Sequence, residues 1–193
     1  MSVRSESPGP ISAKIIVSGG FGVGKTTFVG AISEIEPMTT EAAMTDASVG
    51  IDDTSGVERK TTTTVAFDFG RITLDRELVL YLFGTPGQER FAFMWDDLIE
   101  GAIGAVVLVD TSRLADCFPA VDYMETNGVP FIVAVNCFHG QLAHSLDDVR
   151  EALAVPPDVP LITTDARDRG QTKTALLELV QHALLRAHAG APT

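Results

Sequence analysis

A glycine-rich segment near the start of the chain combines the residue types that bind phosphate groups. Residues 19–26 read G-G-F-G-V-G-K-T, which fits the pattern G-x-x-x-x-G-K-[ST] at every fixed position. Glycines allow successive backbone N–H groups to surround an anion, Lys25 adds a cation for the β- and γ-phosphates, and the Thr26 hydroxyl suits Mg²⁺. We therefore predict a phosphate loop at residues 19–26. The nucleotide-binding residues predicted in and beside it are Gly20, Phe21, Gly22, Val23, Gly24, Lys25, Thr26 and Thr27.

The segments around this loop have the order strand, glycine loop and helix that the motif requires. Residues 13–18 have the pattern of a short apolar strand, and residues 27–32 open a helical pattern. Further along, apolar strand-like segments alternate with helical ones, and strands at 64–70 and 77–83 are joined as a hairpin. We predict an α/β fold in which a mostly parallel six-stranded sheet has one antiparallel edge strand and helices on both faces.

The chain is predicted to form one domain over residues 13–188. The polar residues 1–12 predict a disordered leader, and residues 189–193 predict a flexible tail. Residues 38–60 are polar, with no steady period. A stretch of that length inside a compact domain is usually functional or mobile, so we expect a functional loop there.

The composition excludes several classes of partner. The 193 residues carry a formal net charge of −12, which argues against nucleic acid or an anionic membrane as a general partner. The longest continuous apolar run, residues 103–109, is too short to span a bilayer, and no lipidation motif is present. We therefore expect a cytoplasmic protein with no stable membrane anchor. A triphosphate would have to be bound by local cations and backbone dipoles, against the overall field.

A second motif, residues 84–91, reads G-T-P-G-Q-E-R-F and follows a predicted strand. Together with the phosphate loop, it resembles the Ras-like small GTPases over roughly residues 14–187. The resemblance is closest to the bacterial MglA-type branch, and closer still to the small GTPases of actinobacterial conservon clusters, encoded beside a roadblock-domain protein and a histidine-kinase-like protein. It implies a Ras-like P-loop NTPase fold, binding of GTP and GDP with Mg²⁺, slow GTP hydrolysis, and a switch read by a roadblock-domain partner. The histidine-kinase-like sensor is a second candidate partner.

The same resemblance assigns roles in the second motif. Gly87 would offer its backbone N–H to the γ-phosphate, and Gln88 stands where the family has its water-orienting glutamine. Gln88 and Lys25 are therefore predicted as catalytic residues. Gly84 departs from the family, because many relatives hold Mg²⁺ there through an aspartate and a bridging water. Mg²⁺ would then depend on Thr26, a second threonine, phosphate oxygens and water.

The second threonine is expected among residues 61–64, which are four consecutive threonines. The pattern T-x-x-x-D-F over residues 64–69 matches the family best, so Thr64 is predicted to bind Mg²⁺ and to sense the γ-phosphate, with Thr63 as the alternative. Arg59 is a candidate catalytic arginine that would act in cis on the transition-state charge. The competing interpretation is a solvated arginine on a loop.

The base-recognition motifs depart further from the family. Its N-K-x-D motif corresponds to N-C-F-H at 136–139, so a histidine replaces the aspartate that accepts two hydrogen bonds from guanine. Its S-A-K motif corresponds to D-A-R at 165–167, where the Ala166 N–H is expected to contact a base carbonyl. GTP is the predicted nucleotide, with two alternatives open: a relaxed or ATP-preferring P-loop NTPase, or a pseudo-GTPase scaffold with little or no hydrolysis. The predicted residues on the base side are Asn136, Phe138, His139, Asp165, Ala166 and Arg167.

Overall fold

The computed structural model describes residues 10–36, 38–45, 62–74, 78–87, 93–140 and 142–189. Seven strands form a single sheet: β1 Ile11–Gly19, β2 Met38–Thr45, β3 Thr62–Thr73, β4 Leu78–Gly84, β5 Ala102–Val109, β6 Phe131–Asn136 and β7 Leu161–Thr164. Five α-helices pack around it: α1 Lys25–Ile32, α2 Trp95–Ile99, α3 Phe118–Thr126, α4 Leu146–Ala152 and α5 Arg169–Ala189. None of the helices in these ranges combines the length and apolar character needed to cross a membrane.

The sheet has the strand order β2-β3-β4-β1-β5-β6-β7. Strand β3 runs antiparallel to both of its neighbours, whereas β1 pairs in parallel with β4 and β5, and β5, β6 and β7 continue in parallel. The predicted α/β class, with a mostly parallel sheet, one antiparallel strand and helices on both faces, is confirmed.

The edge of the sheet differs from the prediction of six strands. Strand β2 is a seventh strand at the edge, so the antiparallel strand β3 lies second from the edge. Residues 38–45 fall in the segment interpreted as a loop, because their polar composition has no alternation that would indicate a strand. An edge strand needs backbone pairing on one side only, and β3 supplies it from Met38↔Phe69 to Thr45↔Thr62. Strand β1 also begins at Ile11, inside the predicted leader.

The sheet carries a hydrophobic core on each face. Helices α1 and α5 cover one face, and α2, α3 and α4 cover the other. Strand β5 shows the alternation that produces this, since Val106 and Leu108 pack on the α1–α5 side and Val107 and Val109 on the opposite side. Burying each such side chain contributes about 1.5–3 kcal/mol relative to exposure. The sheet and its helices are therefore a firm support for the loops at its edges.

The carboxyl ends of four strands meet at one of these edges. Strand β1 ends at Gly19, β4 at Gly84, β6 at Asn136 and β7 at Thr164. The phosphate loop, the motif at 84–91 and the two base-side motifs each begin at one of these strand ends. Ligands of open parallel sheets bind at this carboxyl edge, where the strand order reverses direction.

Candidate nucleotide-binding site

The phosphate loop leads from the end of β1 directly into α1. Gly24 is the residue before the helix, and its φ of 105° lies in the left-handed region that favours glycine. A Cβ atom at Gly24 would lie 2.7 Å from the Nδ2 atom of Asn136. Glycine is thus required at position 24 both by the backbone turn and by the close approach of the β6 end. The N-terminal N–H groups of α1 are thereby directed at the space above the loop.

Lys25 is the buried cation of this loop. Only 8% of it is exposed, and its Nζ atom donates to Gly19 O at 2.9 Å and to Gly20 O at 2.7 Å. Burial lowers the pKa of the Lys25 ammonium to about 8, although the nearby Asp68 carboxylate acts in the opposite direction. Among the described residues, the hydrogen bonds of the ammonium go to these two carbonyl oxygens. An incoming phosphate would add an anion in direct contact with the cation.

The loop after β4 lies directly against the phosphate loop. The Thr85 N–H donates to Val17 O at 2.9 Å, and the buried Thr85 hydroxyl donates to Ser18 Oγ at 3.1 Å. These bonds bring Gly87 so close that a Cβ atom on it would lie 2.6 Å from Lys25 Nζ. The same Cβ atom would lie 2.9 Å from Phe21 Cα, so packing against backbone favours glycine at 87, and its contact with a γ-phosphate stays a prediction.

A cavity of about 400 Å³ opens between these two loops. It is lined by Phe21, Gly22, Gly24, Lys25, Thr26, Thr27, Asp68, Thr85, Pro86 and Gly87. The Thr26 hydroxyl donates a hydrogen bond to Asp68 Oδ2 at 2.7 Å, so two oxygen atoms that could bind a metal ion lie together in the cavity. Oxygen is the ligand atom that Mg²⁺ prefers, so the donor set fits this ion. The described residues contain no group of three or more His, Cys, Asp or Glu suited to a metal.

Thr64 is a predicted site residue that is not brought to this cavity. Thr64 lies within β3, paired with Ala43 of β2, and four residues of extended strand, about 13 Å, separate it from Asp68. For Thr64 to reach Thr26, the end of β3 would have to leave its pairing with β2. Gln88 and Arg59 lie outside the described residues, so their catalytic roles stay predictions.

Asn136 connects the phosphate loop to the loop after β7. Its side chain is buried, its Nδ2 atom donates to Val23 O at 2.9 Å, and its Oδ1 atom accepts from the Ala166 N–H at 3.0 Å. Both ends of the amide are used by the protein. Asn136, predicted to bind nucleotide, here positions two loops. The Ala166 N–H, predicted to contact a base carbonyl, is committed to Asn136 in this structure.

A narrow cleft beside the phosphate cavity matches the predicted base side. It has a volume of about 70 Å³ and is lined by Gly24, Thr27, Asn136, Phe138, Asp165, Ala166 and Arg167. The Arg167 guanidinium donates two hydrogen bonds to the Asp165 carboxylate, from Nε to Oδ1 at 2.9 Å and from Nη2 to Oδ2 at 2.7 Å. The cleft shares Gly24 and Thr27 with the larger cavity, so a base and its phosphates would bind continuously along the loop. The backbone of His139 belongs to a 3-10 turn, Phe138–Gly140, and its side chain lies outside the described residues.

Arg113 is a site residue that the sequence does not reveal. It follows β5 in the turn Thr111–Cys117, and its guanidinium lies 3.4 Å from where a Cβ atom on Gly22 would be. The side chain is partly exposed, and its Nη2 atom pairs with Asp110 Oδ2 at 3.3 Å. A second cation thus borders the phosphate loop. Only the adjacency of β1 and β5 brings it there, so no local motif could have indicated it.

A larger cavity, of about 820 Å³, lies at the opposite edge of the sheet. The start of β1, the start of β5 and the end of α5 enclose it, and nearly all of its lining side chains are apolar. It lacks the phosphate-binding features found at the carboxyl edge. The smaller, polar cavity is therefore the candidate site.

The lowered pKa of Lys25 predicts that nucleotide affinity depends on pH. A bound phosphate stabilises the ammonium, so the pKa of Lys25 is higher in the complex than the value of about 8 in the free protein. Binding then takes up a proton above pH 8. Nucleotide affinity is therefore highest well below pH 8 and falls as the pH rises above 8. We expect Kd to increase about tenfold between pH 7 and pH 9.

The measurement is Kd for a fluorescent nucleoside triphosphate at pH 7, 8 and 9, with calorimetry at pH 8.5 in buffers of different ionisation enthalpy to count protons. A Kd that stays constant, with no proton uptake, would show that Lys25 is fully charged before the phosphate arrives.

Sequence comparisons place the chain among nucleotide-binding proteins. The family model described as "Conserved hypothetical ATP binding protein" matches residues 17–186. An uncharacterized protein of Methanocaldococcus jannaschii is 30% identical over 125 residues, which cover 64% of this chain and 68% of that protein. The family match includes the phosphate loop, and neither description assigns a switch role or a partner.

Solved structures show the same fold at low identity. The G domain of the T. maritima FeoB iron transporter is 16% identical, with a TM-score of 0.61 over 90% of this chain and 99% of that one. The FeoB G-domain of Methanococcus jannaschii is 15% identical, with a TM-score of 0.58 over 90% of this chain and 98% of that one. The apo cytosolic domain of the T. maritima protein matches with a TM-score of 0.62 at 15% identity, and this chain spans 64% of its length. These likenesses confirm a P-loop G-domain fold and nothing more specific, so the MglA-type branch stays a prediction.

Proposed function

This chain belongs to the family of conserved hypothetical ATP-binding proteins, and on that premise we propose that it is a nucleotide-dependent switch. It would bind a purine nucleoside triphosphate with Mg²⁺ and hydrolyse it slowly to the diphosphate. The observation that carries the proposal is the position of Lys25, a buried cation between the phosphate loop and Gly87. A cation in that position contacts both the phosphates and the loop that would sense the γ-phosphate.

Hydrolysis requires a water molecule in line with the bond between the γ-phosphorus and its bridging oxygen. The water oxygen forms the new bond to phosphorus, the bridging bond breaks, and the diphosphate leaves while the proton of the water passes to phosphate oxygen. Lys25 and the N-terminal N–H groups of α1 stabilise the charge on the phosphates. Gln88 would orient the water. Mg²⁺ bound at Thr26 would neutralise part of the negative charge on the phosphate oxygens.

The switch itself would involve the segments that flank the cavity. In this structure residues 62–66 pair with β2, so Thr64 is remote from Thr26. Contact of Thr64 with the γ-phosphate would require those residues to leave the pairing, which would change the surface formed by β2 and β3. We propose this surface, together with residues 88–92, as the one read by a roadblock-domain regulatory protein, and by a histidine-kinase-like sensor. The support for these partners is the resemblance of residues 84–91 to MglA-type proteins, whereas the proposed cytoplasmic location rests on the composition.

GTP is the nucleotide that we propose. The support is the G-domain fold together with Asp165, whose carboxylate lines the base cleft. Guanine presents two neighbouring donors, N1–H and the 2-amino group, to such a carboxylate, and adenine presents no matching pair. Arg167 already donates three hydrogen bonds to this carboxylate, two at Oδ1 and one at Oδ2, so the two guanine donors would have to displace part of the Arg167 contact.

ATP preference is the second candidate, because a specific observation favours it. Cys137 and His139 occupy the positions where the GTPase motif has its lysine and its aspartate, and the family is described as ATP binding. Titrating the protein with fluorescent GTP and ATP analogues, with and without Mg²⁺, and then measuring phosphate release separates the candidates. Tighter binding of ATP would overturn GTP as the nucleotide. Tight binding of either without turnover would favour the pseudo-GTPase scaffold.

Replacing Gln88 by leucine tests the hydrolytic step. The Gln88→Leu variant should bind the triphosphate within about twofold of the wild-type Kd, because this side chain is proposed to contact the water and not the nucleotide. Single-turnover phosphate release should slow by about 100-fold or more, since positioned acid–base groups typically contribute roughly 100- to 10,000-fold. Gln181→Leu, the same change on the exposed surface of α5, is the control. An unchanged rate in Gln88→Leu would show that the water is oriented by another residue.

A further inference from the structure

Asp68 occupies space that the neighbouring strand leaves empty. Strands β3 and β4 pair in a register that sets Asp68 opposite Gly84. A Cβ atom at Gly84 would lie 2.9 Å from Asp68 Cβ and 3.0 Å from Asp68 Oδ2. The Asp68 carboxylate therefore lies where a side chain from position 84 would begin. Because residue 84 is glycine, the carboxylate can enter the site from β3.

The carboxylate is also directed at the residue that would bind the metal. The Asp68 Oδ2 atom accepts a 2.7 Å hydrogen bond from Thr26 Oγ1, across 42 residues of chain. Both side chains line the phosphate cavity, with Lys25 between them and Gly87. Asp68 is half-buried, so water that fills the cavity can reach its second oxygen.

The chemistry of this arrangement suits a magnesium ion better than it suits a purely structural contact. Thr26 is the second residue of α1 and would remain helical without the bond, because its side chain is exposed and does not cap the helix. A carboxylate beside a triphosphate is repelled by the phosphate oxygens unless a cation lies between them. Mg²⁺ takes few protein ligands and keeps several waters, which matches one hydroxyl and one carboxylate.

We propose that Asp68 is the carboxylate that binds Mg²⁺, directly or through one water, and so makes triphosphate affinity depend on the ion. The role expected at position 84 is thereby filled from the adjacent strand. This inference rests on the proposed function, because it assigns a metal ligand within the same nucleotide site.

The test is the Mg²⁺ effect on binding, defined as Kd in EDTA divided by Kd in Mg²⁺ for a fluorescent GTP analogue and for the ATP analogue. Asp68→Asn should lower this ratio about tenfold or more, the usual range for loss of a group that supports a metal. The change should appear as a rise of Kd in Mg²⁺, whereas Kd in EDTA should stay the same or fall, because without the ion the Asp68 carboxylate only repels the phosphates. Asp122→Asn, which removes the same charge from the exposed surface of α3, is the control and should leave the ratio unchanged.

An exchange of the two residues distinguishes metal binding from structural support. In the double variant with Asp68→Gly and Gly84→Asp, the carboxylate returns to the same space from β4, and the clash of two Cβ atoms is removed. The exchange should restore the ratio to within about threefold of wild type, while Asp68→Gly alone stays as low as Asp68→Asn. Thermal unfolding verifies that each variant is folded.

The possible outcomes distinguish a failure of this inference from a failure of the proposed function on which it rests. If the wild type binds neither nucleotide, the proposed function is wrong. If the wild type shows a Mg²⁺ effect that Asp68→Asn retains, the function stands and Asp68 is not the metal carboxylate. A folded exchange variant that fails to restore the ratio would likewise overturn the assignment.

Discussion

Lys25→Ala is expected to weaken nucleoside-triphosphate binding by roughly 100- to 1000-fold. The ammonium is buried at the point where the phosphate loop meets Gly87, so no water can take its place against the phosphate at comparable strength. Removing one member of a buried charge pair costs about 3–5 kcal/mol, and each 1.4 kcal/mol corresponds to a factor of ten in Kd. The measurement is equilibrium titration with the fluorescent analogues used above.

The same variant should lose little stability when no nucleotide is present. Burial already disfavours the charged ammonium, as its pKa of about 8 shows, so its removal relieves an unfavourable desolvation and offsets the loss of the hydrogen bonds to Gly19 O and Gly20 O. Thermal unfolding of Lys25→Ala should occur close to the wild-type temperature. Lys173→Ala, on the exposed surface of α5, is the matched control and should bind normally. Unchanged affinity in Lys25→Ala would refute the assignment of the phosphate site.

Asn136→Ala is expected to have the largest effect on the fold. The amide of Asn136 satisfies the Val23 carbonyl and the Ala166 N–H, and all of these groups meet inside the protein. Leaving a buried donor or acceptor without a partner costs about 1–3 kcal/mol. With two such groups, we expect the free energy of unfolding to fall by about 2–4 kcal/mol, measured by urea denaturation.

The Asn136→Ala variant should also bind nucleotide more weakly, because the phosphate loop and residues 165–167 would no longer be fixed relative to each other. Asn127→Ala is the control, since Asn127 is exposed and its side chain bonds only to Tyr123 O at the end of α3. It should change stability by about 0.5 kcal/mol or less. An Asn136→Ala protein as stable as the wild type would mean that the two loops are connected by other contacts.

The local motifs predicted the main features of the site. Glycines, a lysine and a threonine at fixed spacing between a strand pattern and a helix pattern indicated a phosphate loop, and the structure has a cavity there. The alternation of strands and helices likewise indicated the mostly parallel sheet. Both succeed because backbone conformation and hydrophobic periodicity act over a few residues, within reach of the sequence pattern.

The sequence was a weaker guide where pairing between strands decided the outcome. Strand β2 has no apolar alternation of its own and exists because its backbone pairs with β3. The same pairing places Thr64 inside the sheet, although its motif indicated a metal ligand. The stability of a strand pair depends on both paired segments, so the sequence of one segment alone does not indicate the pairing.

The same distinction between local and distant information applies to the candidate site. Sequence alone determined that this protein has a phosphate loop on an α/β fold, because those signals are contained in short stretches of chain. Only the tertiary structure decided which side chains surround that loop. The register of β3 on β4 brings Asp68 to Thr26, the order of β1 and β5 brings Arg113 to Gly22, and Asn136 reaches two loops that are far apart in the chain. Each contact depends on how distant segments pack, which no local pattern of residues encodes.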